Sequence, residues 1–332
     1  MENEIKLFYS KDWEDYELLD TGEGEKLERF GQYIFVRPYE DAIWPKCSTP
    51  SVEQIWAKAD GKFWSSKTGA KAGWVFSKNR SWGGSLKNRS LKWEMQYKGI
   101  KFLASPTPFR HLGFFPEQAS HWDFIEEKIS FAAKQMKNSS ALLHPSDGTF
   151  RQQNFSSASR PKFLNLFGYT GVASLFALRA GAEVTHLDAS KQTLTWAKEN
   201  EKLNALAALA PMRVIEDDAL KFLEREEKRG NKYDAVIMDP PKFGRGPKGE
   251  IWKIEEMLPK LLSAVRKILS DKPLFVILTS YAIESSSLSL GYALEDIMKD
   301  FSGTIEVGEL CVLEKSNNRI ISLANTAVWM VK

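Results

Sequence analysis

An α/β fold, built as a doubly wound parallel sheet behind a β-rich N-terminal domain, is what this sequence predicts, and three observations predict it. From Pro161 onward, short apolar runs alternate with helical patterns. Strands joined by helical crossovers pair in parallel and are covered on both faces. Residues 1–105 instead hold seven of the eleven tryptophans, in short alternating runs broken by Gly, Pro, Asn and Ser, which is the pattern of strands and hairpins. The length, 332 residues, exceeds one typical domain.

The elements follow in order. "YIFVRPY", "GWVFS" and "LKWEMQYKGIKFLASP" read as strands of the first domain. Residues 106–160 form a connection with a turn-rich start, an amphipathic helix from Trp122 to Met136, and a serine-rich loop over 138–160. Residues 161–332 then supply seven strands. "KFLNLF" precedes the helix "VASLFALRAGA", and "EVTHLD" precedes a helix capped by Ser190. "MRVIEDD" leads into "ALKFLEREEKRG", "YDAVIMDPP" into "WKIEEMLPKLLSAVRKILS", and "PLFVILTSYA" into "SLGYALEDIMKDF". The final runs, "GTIEVGELCVLE" and "ISLANTAVWMVK", have no helix between them, so one strand at the end runs antiparallel.

Composition narrows the function classes. Two cysteines, Cys47 and Cys311, and four scattered histidines offer neither a disulfide framework nor metal-ligand spacing, so no metal is assigned. The start "MENEIKLFYSKDWEDY" lacks the apolar segment of a signal peptide, and no run reaches the roughly 18 apolar residues that span a bilayer. A cytoplasmic protein with no membrane segment is expected. The net charge of +3 hides a strongly basic stretch: residues 57–102 carry eleven Lys or Arg against Asp60 and Glu94. Such asymmetry, interleaved with Trp56, Trp64, Trp74, Trp82 and Trp93, suits phosphate contact and base stacking. A tryptophan core beneath a solvated lysine face reads equally well.

Chemistry concentrates at four strand ends. In "NLFGYTG", Gly168 and Gly171 flank a strand-to-helix turn where backbone amides can approach a ligand. Asp188, twenty residues after Gly168, can accept hydrogen bonds from ribose hydroxyls. Taken alone, this pair fits a nicotinamide dinucleotide or S-adenosylmethionine. A dinucleotide turn needs a middle glycine for its pyrophosphate, and here Thr170 stands instead. Asp218, in "VIEDDAL", can accept from an adenine amino group or cap the following helix. "DPPKF", Asp239–Phe243, ends the fourth strand, where two prolines force the chain out of the sheet in a fixed direction. That turn presents the Asp239 carboxylate and Pro240 carbonyl, with Phe243 as a stacking surface for a flat base. These features favour methyl transfer.

With the motifs in this order, residues 105–332 resemble the class I S-adenosylmethionine-dependent methyltransferases, a Rossmann-like seven-stranded fold. They look closest to the branch containing bacterial large-subunit ribosomal RNA methyltransferases, which carries "NLFxYTG", "VDxS", an aspartate after the third strand, and "DPPxF". The resemblance implies S-adenosyl-L-methionine held by Phe167, Gly168, Tyr169, Thr170, Gly171, Asp188, Ala189, Ser190, Asp218, Ala219 and Asp239. It implies Asp239, Pro240 and Phe243 as catalytic residues and ribosomal RNA as partner, and under a base-methylation mechanism Lys242 is expected to contact a phosphate. "HLGFFPEQ" is similar to an element before that branch's catalytic domain, with His111, Phe115 and Gln118 over the cofactor. The first domain shows no clear match to the RNA-binding domain of some branch members. Branch members that methylate cytosine carbon 5 use a cysteine after the fifth strand, but Ile277–Ser287 has none, so a base nitrogen is the expected acceptor. A protein or small-molecule substrate, and a noncatalytic RNA-binding role, stay open at this level.

Overall fold

The computed structural model describes residues 4–64, 72–77, 91–142, 160–206, 211–281 and 286–332. Its strands are β1 (Ile5–Phe8), β2 (Tyr16–Gly22), β3 (Glu25–Phe30), β4 (Tyr33–Pro38), β5 (Gly61–Trp64), β6 (Gly73–Phe76), β7 (Trp93–Tyr97) and β8 (Ile100–Ala104). They continue with β9 (Lys162–Leu166), β10 (Glu183–Asp188), β11 (Arg213–Glu216), β12 (Ala235–Met238), β13 (Phe243–Arg245), β14 (Ile251–Lys253), β15 (Phe275–Ser280), β16 (Gly303–Leu313) and β17 (Ile320–Val331). The helices are α1 (Pro50–Ala57), α2 (Ala119–Leu142), α3 (Val172–Arg179), α4 (Lys191–Leu203), α5 (Ala219–Lys228), α6 (Ile254–Ile268) and α7 (Ser287–Met298).

Two compact units result, and neither follows the expected boundaries of 105 and 160. One combines Met1–Phe8, Ser120–Leu310 and Ala324–Lys332; the other combines Tyr9–Ala119 with Cys311–Leu323. In the first, one sheet runs in the order β1-β16-β17-β15-β12-β9-β10-β11. The seven expected strands are all present, and the antiparallel strand is β17, paired with β15. The eighth, β1, pairs in parallel with β16 from Ile5 opposite Val307. Nothing local marks it: "IKLF" is four residues whose parallel partner lies three hundred positions away. Every residue of β12 and β15 is buried, as continuous apolar strands covered on both faces should be. Helix α2 belongs to this unit rather than to a connection. Trp122 stacks on Phe176 at 5.7 Å, Phe124 meets Phe275 edge-on, and Arg179 grips Glu126 at 2.6 and 2.7 Å. The serine-rich loop expected over 138–160 lies largely outside the described residues.

The second unit carries the sheet β2-β3-β4-β5-β6 and the hairpin β7–β8. Lys98 and Gly99, both with positive φ, close that hairpin with the twist such a turn favours. Helix α1 was not expected in a β-rich region. It begins at Pro50, pre-set for a first helical turn, and bridges β4 to its parallel neighbour β5. The described tryptophans mostly build this unit. Trp93 stacks on Phe35 and donates to Phe30 O, Trp74 packs on Phe35 and Phe63, and Trp56 donates to Asp20. Trp64 remains exposed, while Trp82 and Lys67, Lys71, Lys78, Arg80, Lys87 and Arg89 lie outside the described residues.

Burial forces pairing of charge. Glu28 is fully buried; its carboxylate takes Arg37 through Nε and Nη2 at 2.6 Å and the Tyr16 hydroxyl at 2.9 Å. Burial opposes its ionisation, but Arg37 and Lys26 outweigh it and hold Glu28 down to about 2. Histidines meet the opposite balance. Burial pushes His121 and His111 down to about 3 and His186 down to about 4, with the cations Arg37, Arg110 and Lys26 adding to the effect at His111. All three are therefore neutral in the folded protein at pH 7.

Replacing Glu28 by Gln strands the Arg37 cation in the core and should cost about 3–5 kcal/mol of stability in urea unfolding. Between pH 6.5 and 4 the unfolded chain binds histidine protons that the folded chain refuses. Stability should therefore fall as pH drops through that window, by up to about 1.4 kcal/mol per pH unit for each buried histidine. Urea midpoints at stepped pH values read this directly; a flat profile contradicts it.

Candidate active site

Strands β12, β9, β10 and β11 are consecutive neighbours and all parallel. Their carboxyl ends therefore open onto one edge, about 4.8 Å apart from strand to strand. Leu166 pairs with both Leu187 and Met238, and Asp188 with Glu216. The register thus sets Phe167–Gly171, Asp188–Ser190, Asp217–Ala219 and Asp239 side by side.

The first of these segments is conformationally unusual. Phe167 and Tyr169 have φ of 57° and 53°, and Gly171 has 86°; left-handed backbone is costly for residues bearing a Cβ and persists only where neighbours impose it. Four hydrogen bonds do so here. Gly168 N donates to Leu187 O at 2.8 Å, Gly171 N to Gly168 O at 3.0 Å, Tyr169 N to Asp188 Oδ2 at 2.9 Å, and Asn200 Nδ2 to Thr170 O at 2.9 Å. The reason for glycine at 168 is internal rather than ligand-facing: a Cβ there would fall 2.3 Å from the His186 ring. Beneath the turn, Asn165 Nδ2 donates to Ser174 Oγ, which shares a 3.0 Å hydrogen bond with His186 Nδ1.

Asp188 is half-buried and already engaged. Its carboxylate accepts from Tyr169 N and Ser190 N, and Thr193 Oγ1 lies 3.0 Å away. The Thr193 hydroxyl has a second acceptor, Ser190 O at 2.8 Å, so its single proton can leave the carboxylate. About two of Asp188's four acceptor sites are then available. Ala189 is half-buried and Ser190 exposed; Ser190 also caps α4 through Thr193 N. Asp218 caps α5, accepting from Lys221 N at 3.0 Å, and Ala219 begins that helix, buried. Asp217 pairs with Arg225.

Asp239 is half-buried at the end of β12, Pro240 is buried, and Phe243 is 58% exposed. Here the expected helix start is corrected: Ile251–Lys253 form β14, which pairs with β13, and the helix begins at Ile254. The indole of Trp252 donates to Pro241 O at 2.6 Å and lies 5.0 Å from the Phe167 ring. Trp252 was missed as a site residue, as were Thr193, Asn200 and His186. The glycines in "GRGPKGEIWK" were the available signal for a hairpin. His111, Phe115 and Gln118 belong to the β-rich unit, with the His111 and Phe115 rings 4.7 Å apart. Among the described residues no cluster of three His, Cys, Asp or Glu is placed to hold a metal, and no helix is long and apolar enough to cross a membrane.

Residues 113–287 match the family model described as S-adenosylmethionine-dependent methyltransferase. A crystal structure of a SAM-dependent methyltransferase from Agrobacterium tumefaciens superposes with a TM-score of 0.82 at 38% identity, covering 98% of this chain and 94% of that one. Ribosomal RNA large subunit methyltransferase K of Neisseria meningitidis serogroup B is 32% identical over 154 residues, 45% of this chain and 43% of that protein. Ribosomal RNA large subunit methyltransferase I of Aeromonas salmonicida is 37% identical over 94 residues, 28% of this chain and 24% of that one. The chain thus spans less than half the length of these two curated relatives. Matched over more than half its own length, and aligned almost end to end with a relative of 38% identity, the chain belongs to the S-adenosylmethionine-dependent methyltransferase family.

Proposed function

We propose that this protein methylates a ring or exocyclic nitrogen of a base in ribosomal RNA, in the cytoplasm. The observation that carries the reading is the shared strand edge, where a left-handed turn, Asp188, Asp218 and the Asp239–Phe243 turn adjoin in register. The residues fit S-adenosylmethionine. Asp188 keeps acceptor capacity for ribose hydroxyls, and Asp218 keeps the oxygen its cap does not use for an adenine amino group. Thr170, buried with its carbonyl tied to Asn200, fills the position where a dinucleotide turn needs open backbone. Phe167, Gly168, Tyr169, Gly171, Ala189, Ser190 and Ala219 would contribute backbone around the same ligand.

When bound, the cofactor supplies an electrophilic methyl group. The chain's part is positioning. Asp239 accepts from the base's exocyclic amino group, the Pro240 carbonyl takes a second contact, and Phe243 stacks on the ring. A nitrogen lone pair held in line needs no covalent enzyme intermediate, so orientation supplies much of the rate. The cysteine inventory supports nitrogen: Cys311 is buried in β16 and Cys47 lies in the β-rich unit, neither suited to attack carbon 6 of a pyrimidine.

Asp239→Ala should lower kcat on ribosomal RNA by about a hundredfold or more at saturating S-adenosylmethionine. Asp188→Ala should weaken S-adenosylmethionine binding by about ten- to a hundredfold in calorimetry. Fragment-mapped mass spectrometry of ribosomal RNA from cells lacking the protein should show one missing base methyl. An intact methylation pattern, with label passing instead to protein or a small molecule, overturns the RNA reading.

A further inference from the structure

The hairpin β13–β14 follows the Asp239–Pro241 turn after a single intervening residue, Lys242, and its two faces differ sharply. Cross-strand partners share a face, so Phe243 with Lys253, and Arg245 with Ile251, point the same way. Gly244 and Trp252 point the other way. Trp252 is buried, hydrogen-bonded to Pro241 O and packed on Phe167. The reverse face is therefore latched to both the proline turn and the left-handed turn. The outward face is open: Phe243 is 58% exposed and Ile251 59%.

Charge on this element is one-sided. Lys242, Arg245, Lys248 and Lys253 stand against one acid, Glu250. That carboxylate is occupied by Lys221 at 2.5 Å and Lys248 N at 2.9 Å. Lys253 reaches Glu256 across exposed surface, a pairing weak enough for a phosphate to displace. The tip is closed by hydrogen bonds from Gly246 N to Glu250 O and from Gly249 N to Gly246 O, with Gly249 at φ +88°. An exposed hydrophobic pair on a two-stranded ribbon invites aggregation unless covered. Two flat or branched apolar groups between cations suit bases lying on the ribbon and phosphates along its sides.

We propose that the outward face of this hairpin is a platform for single-stranded RNA, gripping nucleotides next to the one presented to Asp239. Beyond Phe243, which stacks on the presented base, Ile251 takes the face of a neighbouring base, while Arg245 and Lys253 take phosphates. The proposal rests on the reading of the protein as an RNA methyltransferase, and apart from Phe243 it names residues that the strand-edge site does not include.

Fluorescence anisotropy with the full chain and a short labelled single-stranded RNA of random sequence tests it. Arg245→Glu and Ile251→Glu should each weaken binding about tenfold or more. Arg245→Gln should reduce the slope of log affinity against log salt by about 0.7. Both positions are exposed, so melting temperature and the thermal shift on adding S-adenosylmethionine should match the parent. Parent-like affinity and salt slope in all three variants, or no RNA binding by the parent chain, overturns the platform, including the case in which the face serves a protein. If hairpin-dependent binding is found but no tritium passes from labelled S-adenosylmethionine to ribosomal RNA, the methylation reading fails and the platform stands.

Discussion

The turn from Phe167 to Gly171 keeps its left-handed backbone because strand β10 meets it residue by residue. Leu187 O receives Gly168 N, Asp188 Oδ2 receives Tyr169 N, and the His186 ring occupies the space a Cβ at 168 would need. Three successive residues of one strand thus impose a conformation that Phe167 and Tyr169 would not choose alone. Parallel pairing of β9 with β10 is the condition for all three contacts. The neighbouring site segments inherit their places from the same register, since β12 joins the other side of β9 and β11 the other side of β10.

Several groups at this edge brace the fold while keeping capacity to spare. Asp188 braces the turn and retains acceptor sites; Asp218 caps α5 with one oxygen; Pro241 O anchors Trp252. Such dual use makes the edge stiff. A carboxylate already held by two backbone N–H groups loses little further freedom on meeting a ligand, which lowers the ordering cost of binding. Trp252 extends that stiffness outward, because one side chain contacts the turn after β9, the turn after β12 and the hairpin that follows. Beneath the turn, the His186 ring is held by Ser174 Oγ through its Nδ1.

Legibility in the sequence tracked the range of the interaction. Ser190 and Asp218 were readable as helix caps because their partners, Thr193 and Lys221, lie three residues away. The seven strands and the antiparallel β17 followed from local periodicity and from the missing crossover. Strand β1 was invisible, since its pairing is with Val307–Leu310. The stretch 311–323 also defied reading: it lies inside two long strands by pattern, yet its contacts are with Leu18, Asp20 and Tyr39. The glycine at 168 was recognised, but its reason, the His186 ring, was not. Trp252 reads as the start of a helix from sequence because an apolar residue before "KIEEML" fits either assignment.

By itself, the sequence determined seven strands of the large sheet, the residues that end them, and hence which side chains gather at the carboxyl edge, because period, proline and cap chemistry act within a few residues. Only the tertiary structure decided where the two units divide, why glycine is required at 168, and that a tryptophan latches a hairpin to the site. Those outcomes depend on atoms brought together across long stretches of chain, and their cause is packing, which no local pattern encodes.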